Sequence, residues 1–495
     1  MIDGHNSLTQ LPQGWVWTIL GEISSLGAGN PAPQGEEYFD NDTYPFVRVQ
    51  DMGSLGNVVH IYDTRDHLNN KAVEKLRLFP KGSVLFTKSG MSILLNQRAI
   101  LGRDMYVVSH VGIAIPLGGI PSEYLYYWLK TIDFKDLTHA TTLPSLRLSK
   151  VQEIRILLPP LPEQHRIVAK IEELFTRLDA GVQALKKIKA QLSRYRQAVL
   201  KHAFEGKLTE EWRETHKKQM EPASVLLKRI REERRRNAKG NVRELPPLNT
   251  ADLPELPEGW VWTRLGEVGE INSGYGFPKK YQGRKEGEIP FFKVMDISKA
   301  FLNHSIYLKD ADNYISVKER DEIKAEILKA GTTVFAKIGE AIKLNRRAIL
   351  SQDSLVDNNV MGIYPFPSLI DVQFIFYLLL TIKLGDFSRA TTVPSVRKSD
   401  IEQIPVPFPS LAEQRKIVEE IDRCFSVADA IEKDVRQSLE QAERLRQSIL
   451  KRAFESKLVP QDPTDEPAEK LLEHIRAERA RIKAEKKATG KTRRS

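Results

Sequence analysis

Two loops in this chain carry residue types suited to gripping an anion and reading the edge of a base: KSGMSILLNQRAIL, starting at Lys88, and KIGEAIKLNRRAIL, starting at Lys337. Lysine and arginine neutralise phosphate, while amides and the guanidinium fork present paired donors and acceptors of the kind base edges require. Lys88 and Lys337, Asn96 and Asn345, and Arg98 and Arg347 coincide between the loops, whereas Gln97 stands against Arg346 and, just beyond, Arg103 against Gln352. A third swap, Arg48 against Lys293, lies upstream in PFVRV and PFFKV. ATTLPSLR at 140–147 and ATTVPSVR at 390–397 add Thr141, Thr142, Ser145 and Arg147 against Thr391, Thr392, Ser395 and Arg397. Hydroxyls beside an arginine suit phosphate and suit a turn before a strand equally well. The plainer reading of the whole set is that shared residues cap turns and differing ones are surface drift.

Bond-breaking chemistry finds less support. An adenine methyltransferase needs a Gly-rich loop for its methyl donor and an Asn/Asp-Pro-Pro-aromatic element for the flipped base. The nearest segment, NPAP at 30–33, has alanine and proline in the last two places and reads as a loop. GKT at 490–492 has Glu485 where a phosphate-binding loop needs its first glycine, and sits in a basic tail. The ten histidines form no HExxH cluster, and scattered carboxylates assign no metal. The catalytic and metal assignments are therefore none, with a self-contained DNA methyltransferase or nuclease as the alternative reading.

A chain of 495 residues exceeds one ordinary core and implies two to four domains. Hydrophobic content of 41% is that of an ordered globular protein, and a net charge of +10 suits a polyanionic partner without requiring one. The single cysteine, Cys424, excludes an internal disulfide, suits a reducing cytoplasm and reads as a core residue. MIDGHNSLTQLPQGW shows no secretory pattern, and FIFYLLLTIKL at 374–384 is shorter than a membrane span and reads as a buried helix.

The elements that must position the loops are duplicated. LPQGWVWTILGEI at 11–23 returns as LPEGWVWTRLGEV at 256–268, LPEQHRIVAKIEELF at 161–175 as LAEQRKIVEEIDRCF at 411–425, and AVLKHAFEGKL at 198–208 as SILKRAFESKL at 448–458. A period near 250 residues is too long for a solenoid and indicates two globular domains, each followed by a helical element. In the first domain PFVRVQDM at 45–52 and SVLFTKSG at 83–90 read as strands and SEYLYYWLKTI at 122–132 as a helix, giving an α/β (α+β) class. Boundaries fall at prolines: 1–158, 159–245, 246–408 and 409–495.

After each proline boundary a heptad pattern begins. Ile171, Leu178, Leu185, Leu192 and Val199 recur every seven residues, with Leu174, Gly181, Ile188 and Tyr195 as companions. Ile421, Ala428, Val435, Ala442 and Ile449 repeat the phase, with Cys424, Ile431, Ser438 and Leu445 beside them. An antiparallel pairing about Leu185 and Val435 sets Leu178 against Ala442 and Leu192 against Ala428, large against small, with pseudo-twofold symmetry. From Glu163 to Glu205 such a helix is about 65 Å long. The alternative is two independent amphipathic helices, each packed on its own domain. Two further helical arms, EPASVLLKRIREERRR at 221–236 and EPAEKLLEHIRAERARIKAEKK at 466–487, carry apolar stripes, and KKATGKTRRS is expected to be disordered.

Two dissimilar α/β domains, each followed by a long helix that opens PLPEQHRIV and closes LKHAFEGKL, resemble the DNA-specificity subunits of type I restriction-modification enzymes over nearly the whole chain. The resemblance implies that each domain reads one half of a split target in double-stranded DNA and that the helices form an antiparallel coiled coil setting the spacing. It also implies that two adenine-methylating subunits dock on the helical regions and arms, with restriction subunits joining later. S-adenosylmethionine would then belong to the methyltransferase subunits, ATP and Mg to the restriction subunits, and no cofactor to this chain. If the domains read different half-sites, the shared Lys88, Lys337, Asn96, Asn345, Arg98 and Arg347 are expected at phosphates. Gln97, Arg346, Arg48, Lys293, Arg103 and Gln352 are then expected at bases. A coiled-coil scaffold that does not bind DNA is the third reading.

Overall fold

In the computed structural model, which describes residues 11–40, 43–54, 59–138, 144–237, 248–388 and 393–492, the repeated motifs turn out to be the joints of the fold. The GWVWT segment becomes a strand, Val16–Ile19, paired antiparallel with Arg155–Leu158, the last strand before the proline boundary. Val261–Arg264 pairs with Pro405–Phe408 in the same way. Each first tryptophan then reaches the opening turn of a long helix: Trp15 Nε1 donates to Glu163 Oε2 at 3.0 Å, and Trp260 Nε1 to Glu413 Oε2 at 2.8 Å. The neighbouring glutamines point back, Gln164 Nε2 to Pro159 O and Gln414 Nε2 to Pro409 O, so the shared Glu-Gln pair ties helix to strand. The Gly-Glu pair has a separate duty. Glu22 and Glu267 accept from Thr18 and Thr263, while a Cβ on Gly266 would lie 2.8 Å from Glu402 Cβ.

The chain divides into two units, Met1–Leu185 with Gln437–Ser495, and Lys186–Arg436. Each contains one α/β domain, parts of both long helices and one arm. In the first unit a five-stranded sheet runs in the order Ser24–Ala28, Val111–Pro116, Val84–Thr87, Arg98–Leu101, His60–Ile61. In the second the order is Gly269–Ser273, Val360–Pro365, Thr333–Ala336, Arg347–Leu350, Tyr307–Leu308. The aromatic helices Ser122–Lys130 and Val372–Thr381 pack against these sheets and are buried, including the FIFYLLL run, and Cys424 is buried as expected. Smaller sheets differ between the domains, and PFVRVQDM is half strand and half helix. Tyr44–Val47 is extended, but the Asp51 carboxylate accepts from Arg48 N and starts the helix Val49–Ser54. In the second domain Asp296 does the same for the longer helix Val294–Leu302.

The long helices are Leu161–Phe204 and Leu411–Phe454, 44 residues each, or about 66 Å at 1.5 Å per residue. Their repeated phenylalanines dock the aromatic helices. Tyr127 meets Phe175 and Tyr124 meets Phe454 in the first unit; Tyr377 meets Phe425 and Phe374 meets Phe204 in the second. The helices also pair with one another, antiparallel. Arg446 bridges to Asp179 and lies 4.4 Å from the Phe175 ring in the first unit, where Leu178 and Ala442 line one groove. In the second, Arg196 bridges Asp429 and Glu432. Ile171, Leu192, Val199, Ile421, Ala428, Val435 and Ile449 are buried, and Leu178, Leu185 and Ala442 half-buried. The companion positions differ from a closed two-stranded coil: Ile188, Tyr195, Ile431 and Leu445 remain exposed. The helices touch along one strip and leave the adjoining one open.

The apolar stripes of the arms do not wait for a partner: each arm covers a domain. Leu226, Leu227 and Ile230 of Ala223–Asn237 enter the second unit's core, where Arg231 pairs with Glu267. Leu471, Leu472 and Ile475 of Ala468–Thr492 enter the first unit's core, with Arg476 on Glu22 and Arg479 donating to Gly21 O and Ser24 O. Their apolar stripes are thus spent internally. The second arm also runs helical through Thr492, into the stretch expected to be disordered.

Equivalent joints are not equally satisfied. Glu413 is buried with Arg213, Thr209 and Trp260 all donating to it. Glu163 is buried with the Trp15 indole but no basic side chain in an ion pair among the described residues, and burial pushes its carboxyl above the ordinary value. A raised carboxyl favours the protonated folded form, so this contribution is greatest below the ordinary carboxylate pKa and declines as pH rises through it towards the raised value. Amide exchange resolved to each unit, from about pH 4 to about pH 7, should show that decline in the first unit and its loss in Glu163→Gln. Glu413→Gln should instead destabilise the second unit by about 3 kcal/mol at neutral pH, because buried Arg213 loses its counterion. The left-handed end of the second helix offers a further check. Ser456, at φ 57°, stands where the first helix has Gly206 at φ 73°, so Ser456→Gly should raise stability by about 1 kcal/mol in chemical denaturation.

Candidate nucleic-acid interface

The loop between the third and fourth sequential strands of each five-stranded sheet is built around a buried arginine. After Val84–Thr87 the chain passes Lys88 and Gly90, makes a tight turn over Met91–Leu95, and enters Arg98–Leu101 through Asn96. Asn96 at φ 47° and Asn345 at φ 51° take the left-handed conformation that asparagine tolerates better than most residues. Their side chains are held from behind. Arg98 Nη2 donates to Asn96 Oδ1 and Nη1 to Gln97 O; Arg347 Nη2 donates to Asn345 Oδ1 at 2.7 Å and Nη1 to Arg346 O at 2.8 Å. Arg98 is 3% exposed, 4.0 Å from the Phe134 ring, and Arg347 is 2% exposed, 5.3 Å from the Phe335 ring. Burial presses both guanidinium groups down to about 9, which leaves them charged at neutral pH.

Arg98 and Arg347 therefore do not grip phosphates. Arg98, Arg347, Asn96 and Asn345 clamp the turn from inside, and a guanidinium this deep cannot reach an external anion. The expectation that shared basic residues lie at phosphates holds no such obstacle for Lys88 and Lys337, which are half-exposed and have no carboxylate partner among the described residues.

The loops at 144–147 and 393–397 are laced onto the same end of the sheet. Leu146 N donates to Lys88 O and Gly90 N to Pro144 O; Val396 N donates to Lys337 O and Gly339 N to Pro394 O. This brings Lys88, Gln97, Ser145 and Arg147 to one end of the first sheet, and Lys337, Arg346, Ser395 and Arg397 to the same end of the second. Arg147 and Arg397 are exposed, and neither has an acidic partner among the described residues. Thr141, Thr142, Thr391 and Thr392 lie outside the described residues.

The remaining swap positions do not join this cluster. Arg103 and Gln352 follow the far ends of Arg98–Leu101 and Arg347–Leu350, six residues from Gln97 and Arg346, or up to roughly 20 Å at about 3.3 Å per strand residue. Arg103 lies 3.8 Å from Asp63, and Gln352 Nε2 donates to Lys309 O. Arg48 pairs with Asp66 and lies over Phe39 and Phe46, while the Lys293 ammonium is 4.8 Å from the Phe277 ring. Arg48, Arg103 and Gln352 are thus engaged locally and need release before reading anything else. What the sequence reading missed is apolar: Met91, Leu94, Leu95 and Leu344 project from the loops into solvent, and Phe301 lies beside Arg346. Hydrophobic residues inside a basic, glycine-containing loop were the available signal.

His304, Asp429 and Glu432 place ligand atoms within 4.8 Å of one another, but Arg196 already bridges both carboxylates, so the group reads as a helix clamp. Among the described residues no helix is long and apolar enough to cross a membrane.

Comparison with known proteins agrees with this arrangement. The family model for the type I restriction modification DNA specificity domain matches twice, at residues 12–194 and 257–441, so each match joins a sheet domain to the long helix that follows it. The type I restriction enzyme EcoDI specificity subunit of Escherichia coli is 28% identical over 491 residues, covering 96% of this chain and 97% of that protein. The EcoKI specificity subunit of Escherichia coli strain K12 is 24% identical over 496 residues, with 96% and 97% covered. Among solved structures, a chain from a study of complex assembly and conformational transition of the type I R-M system superimposes with a TM-score of 0.64 at 19% identity, covering 90% of this chain and 99% of that one. The HsdS subunit from Thermoanaerobacter tengcongensis gives 0.51 at 19% identity, with 91% and 99% covered. Two copies of the domain, two long helices that pair within each unit, and a family model spanning both halves lead to one conclusion: the chain belongs to the type I restriction-modification DNA specificity family, as a tandem-domain specificity subunit.

Proposed function

We propose that each domain reads one half of a bipartite target in double-stranded DNA through the loop end of its five-stranded sheet. The observation that carries this reading is the same in both domains: cations with no carboxylate partner among the described residues gather at one sheet end around a residue that differs, Gln97 in one and Arg346 in the other. Lys88, Arg147, Lys337 and Arg397 hold phosphates and set the register. Glutamine pairs with adenine and arginine with guanine in the major groove, so the exchange at the central position is one that changes sequence preference. The paired long helices set the distance between half-sites.

The reaction belongs to partners. Adenine-methylating subunits, two of them, supply S-adenosylmethionine, and restriction subunits supply ATP and Mg; this chain holds no cofactor of its own. The exposed strip at Ile188, Tyr195 and Ile431 in the second unit, and the groove lined by Gly181, Ala442 and Leu445 in the first, support docking along the helices. The arms offer a partner outer faces that are mostly charged, with Val225 and Ile482 exposed among them. The complex works in the cytoplasm, a reading supported by a single, buried, unpaired cysteine.

Two sets of variants test the reading. Lys88→Ala should weaken DNA binding evenly across sequences and reduce the salt slope by about one unit, whereas Arg98→Met should destabilise the first unit by about 3 kcal/mol in thermal unfolding and leave the recognised sequence unchanged. Removing seven residues from matched positions of both long helices shortens each by about 10 Å, or roughly 3 base pairs. Mapping methylated adenines should then show a shorter gap between unchanged half-sites. An unchanged gap would refute the ruler.

A further inference from the structure

We infer that Phe301 is a positioning residue that presents Arg346 to a guanine in the half-site read by the second domain. The inference rests on the half-site reading above and names one contact within it.

Phe301 closes the helix Val294–Leu302, a helix packed on the second domain's sheet. Its ring is 52% exposed, an unfavourable place for a phenylalanine that contributes little to any core. The Arg346 guanidinium lies 5.0 Å from the centre of that ring. Arg346 has no ion pair and no hydrogen bond from its guanidinium among the described residues, so the ring is what locates it. A cation over a ring is held through its face, which leaves the N–H edge unspent. That edge is the part that pairs with O6 and N7 of guanine. Fixing the side chain before binding removes part of the ordering cost that a free arginine would pay on contact.

The backbone beneath is rigid for reasons already given. Arg346 is flanked by Asn345 in the left-handed conformation and by buried Arg347, whose Nη1 holds the Arg346 carbonyl. Leu302 and Leu344 are exposed as well, so the base-facing end of this unit combines an oriented fork with apolar surface of the kind that meets a thymine methyl. The first domain's sequence carries neither partner of this pair: Gln97 stands in the position of Arg346, and Gly56 in that of Phe301. Two readers of different half-sites are expected to differ in this way, with the clamp kept and the presented group changed.

The test uses the full chain assembled with its methyltransferase subunits, with methylated adenines mapped on genomic DNA and binding measured to duplexes that differ at single base pairs. A wild-type pattern that is not bipartite defeats the half-site reading itself, whatever the variants do. Given a bipartite pattern, Phe301→Ala and Phe301→Leu should each lower discrimination at one guanine of one half-site by roughly ten- to a hundredfold, the range of a single bidentate contact. Phe301→Tyr should restore it, and Arg346→Gln should abolish the guanine preference at the same position. Thermal unfolding of the Phe301 variants should be unchanged. Full discrimination in both Phe301→Ala and Phe301→Leu overturns the inference. So does an even loss across all sequences with a shallower salt slope, which would make Arg346 a phosphate contact.

Discussion

A tryptophan indole donating to a buried glutamate in the first turn of a long helix is the contact on which the rest of this architecture depends. It joins the ribbon that opens each domain to the helix that leaves it, so that domain and helix move as one piece. Trp15 and Glu163 make the joint once, Trp260 and Glu413 again. Everything downstream requires that stiffness, because a long helix transmits position only if its root does not swivel. The cost is a carboxylate out of water, and the two copies meet it differently. Arg213 and Thr209 compensate Glu413, while the equivalent stretch of the first unit, Val459 to Pro463, carries no basic side chain.

Much of the scaffold was legible because it is periodic. Seven-residue spacing located the long helices, and large residues opposite small ones indicated their antiparallel partnership. Spacing alone could not show that Ile188, Tyr195, Ile431 and Leu445 stay uncovered, because an apolar residue facing a helix and one awaiting another protein leave the same mark in a sequence. The arms illustrate a related limit. Their stripes were plain to see, but nothing local says that Leu226 and Ile230 belong to the domain that follows, or that Leu471 and Ile475 return to the domain that began the chain.

The repeated loops do lie between sheet strands, but which of their side chains face solvent was not legible in the sequence. Lys88 and Arg98 are both basic and both repeated, yet one is half-exposed and the other lies beneath the turn it supports. Repetition reports that a residue matters to both copies and is silent on whether it matters to the fold or to a ligand. The same holds for the differing positions. Gln97 and Arg346 crown the turn, whereas Arg103 and Gln352 sit at the opposite strand end, a separation that becomes visible only once strand direction is known. Aspartate capping explains the other misreading, since Asp51 and Asp296 turn an apparent strand into a strand and a helix.

The placement of the final helix bears on how the polypeptide is made. Its apolar residues roof the earlier of the two domains, and a Cβ on Gly118 would come within 2.5 Å of Ile475. That domain is therefore synthesised long before the segment that covers it, while the later domain receives its cover from a segment made just before it. A nascent chain of this design leaves the earlier domain's apolar surface open until the distant arm has emerged.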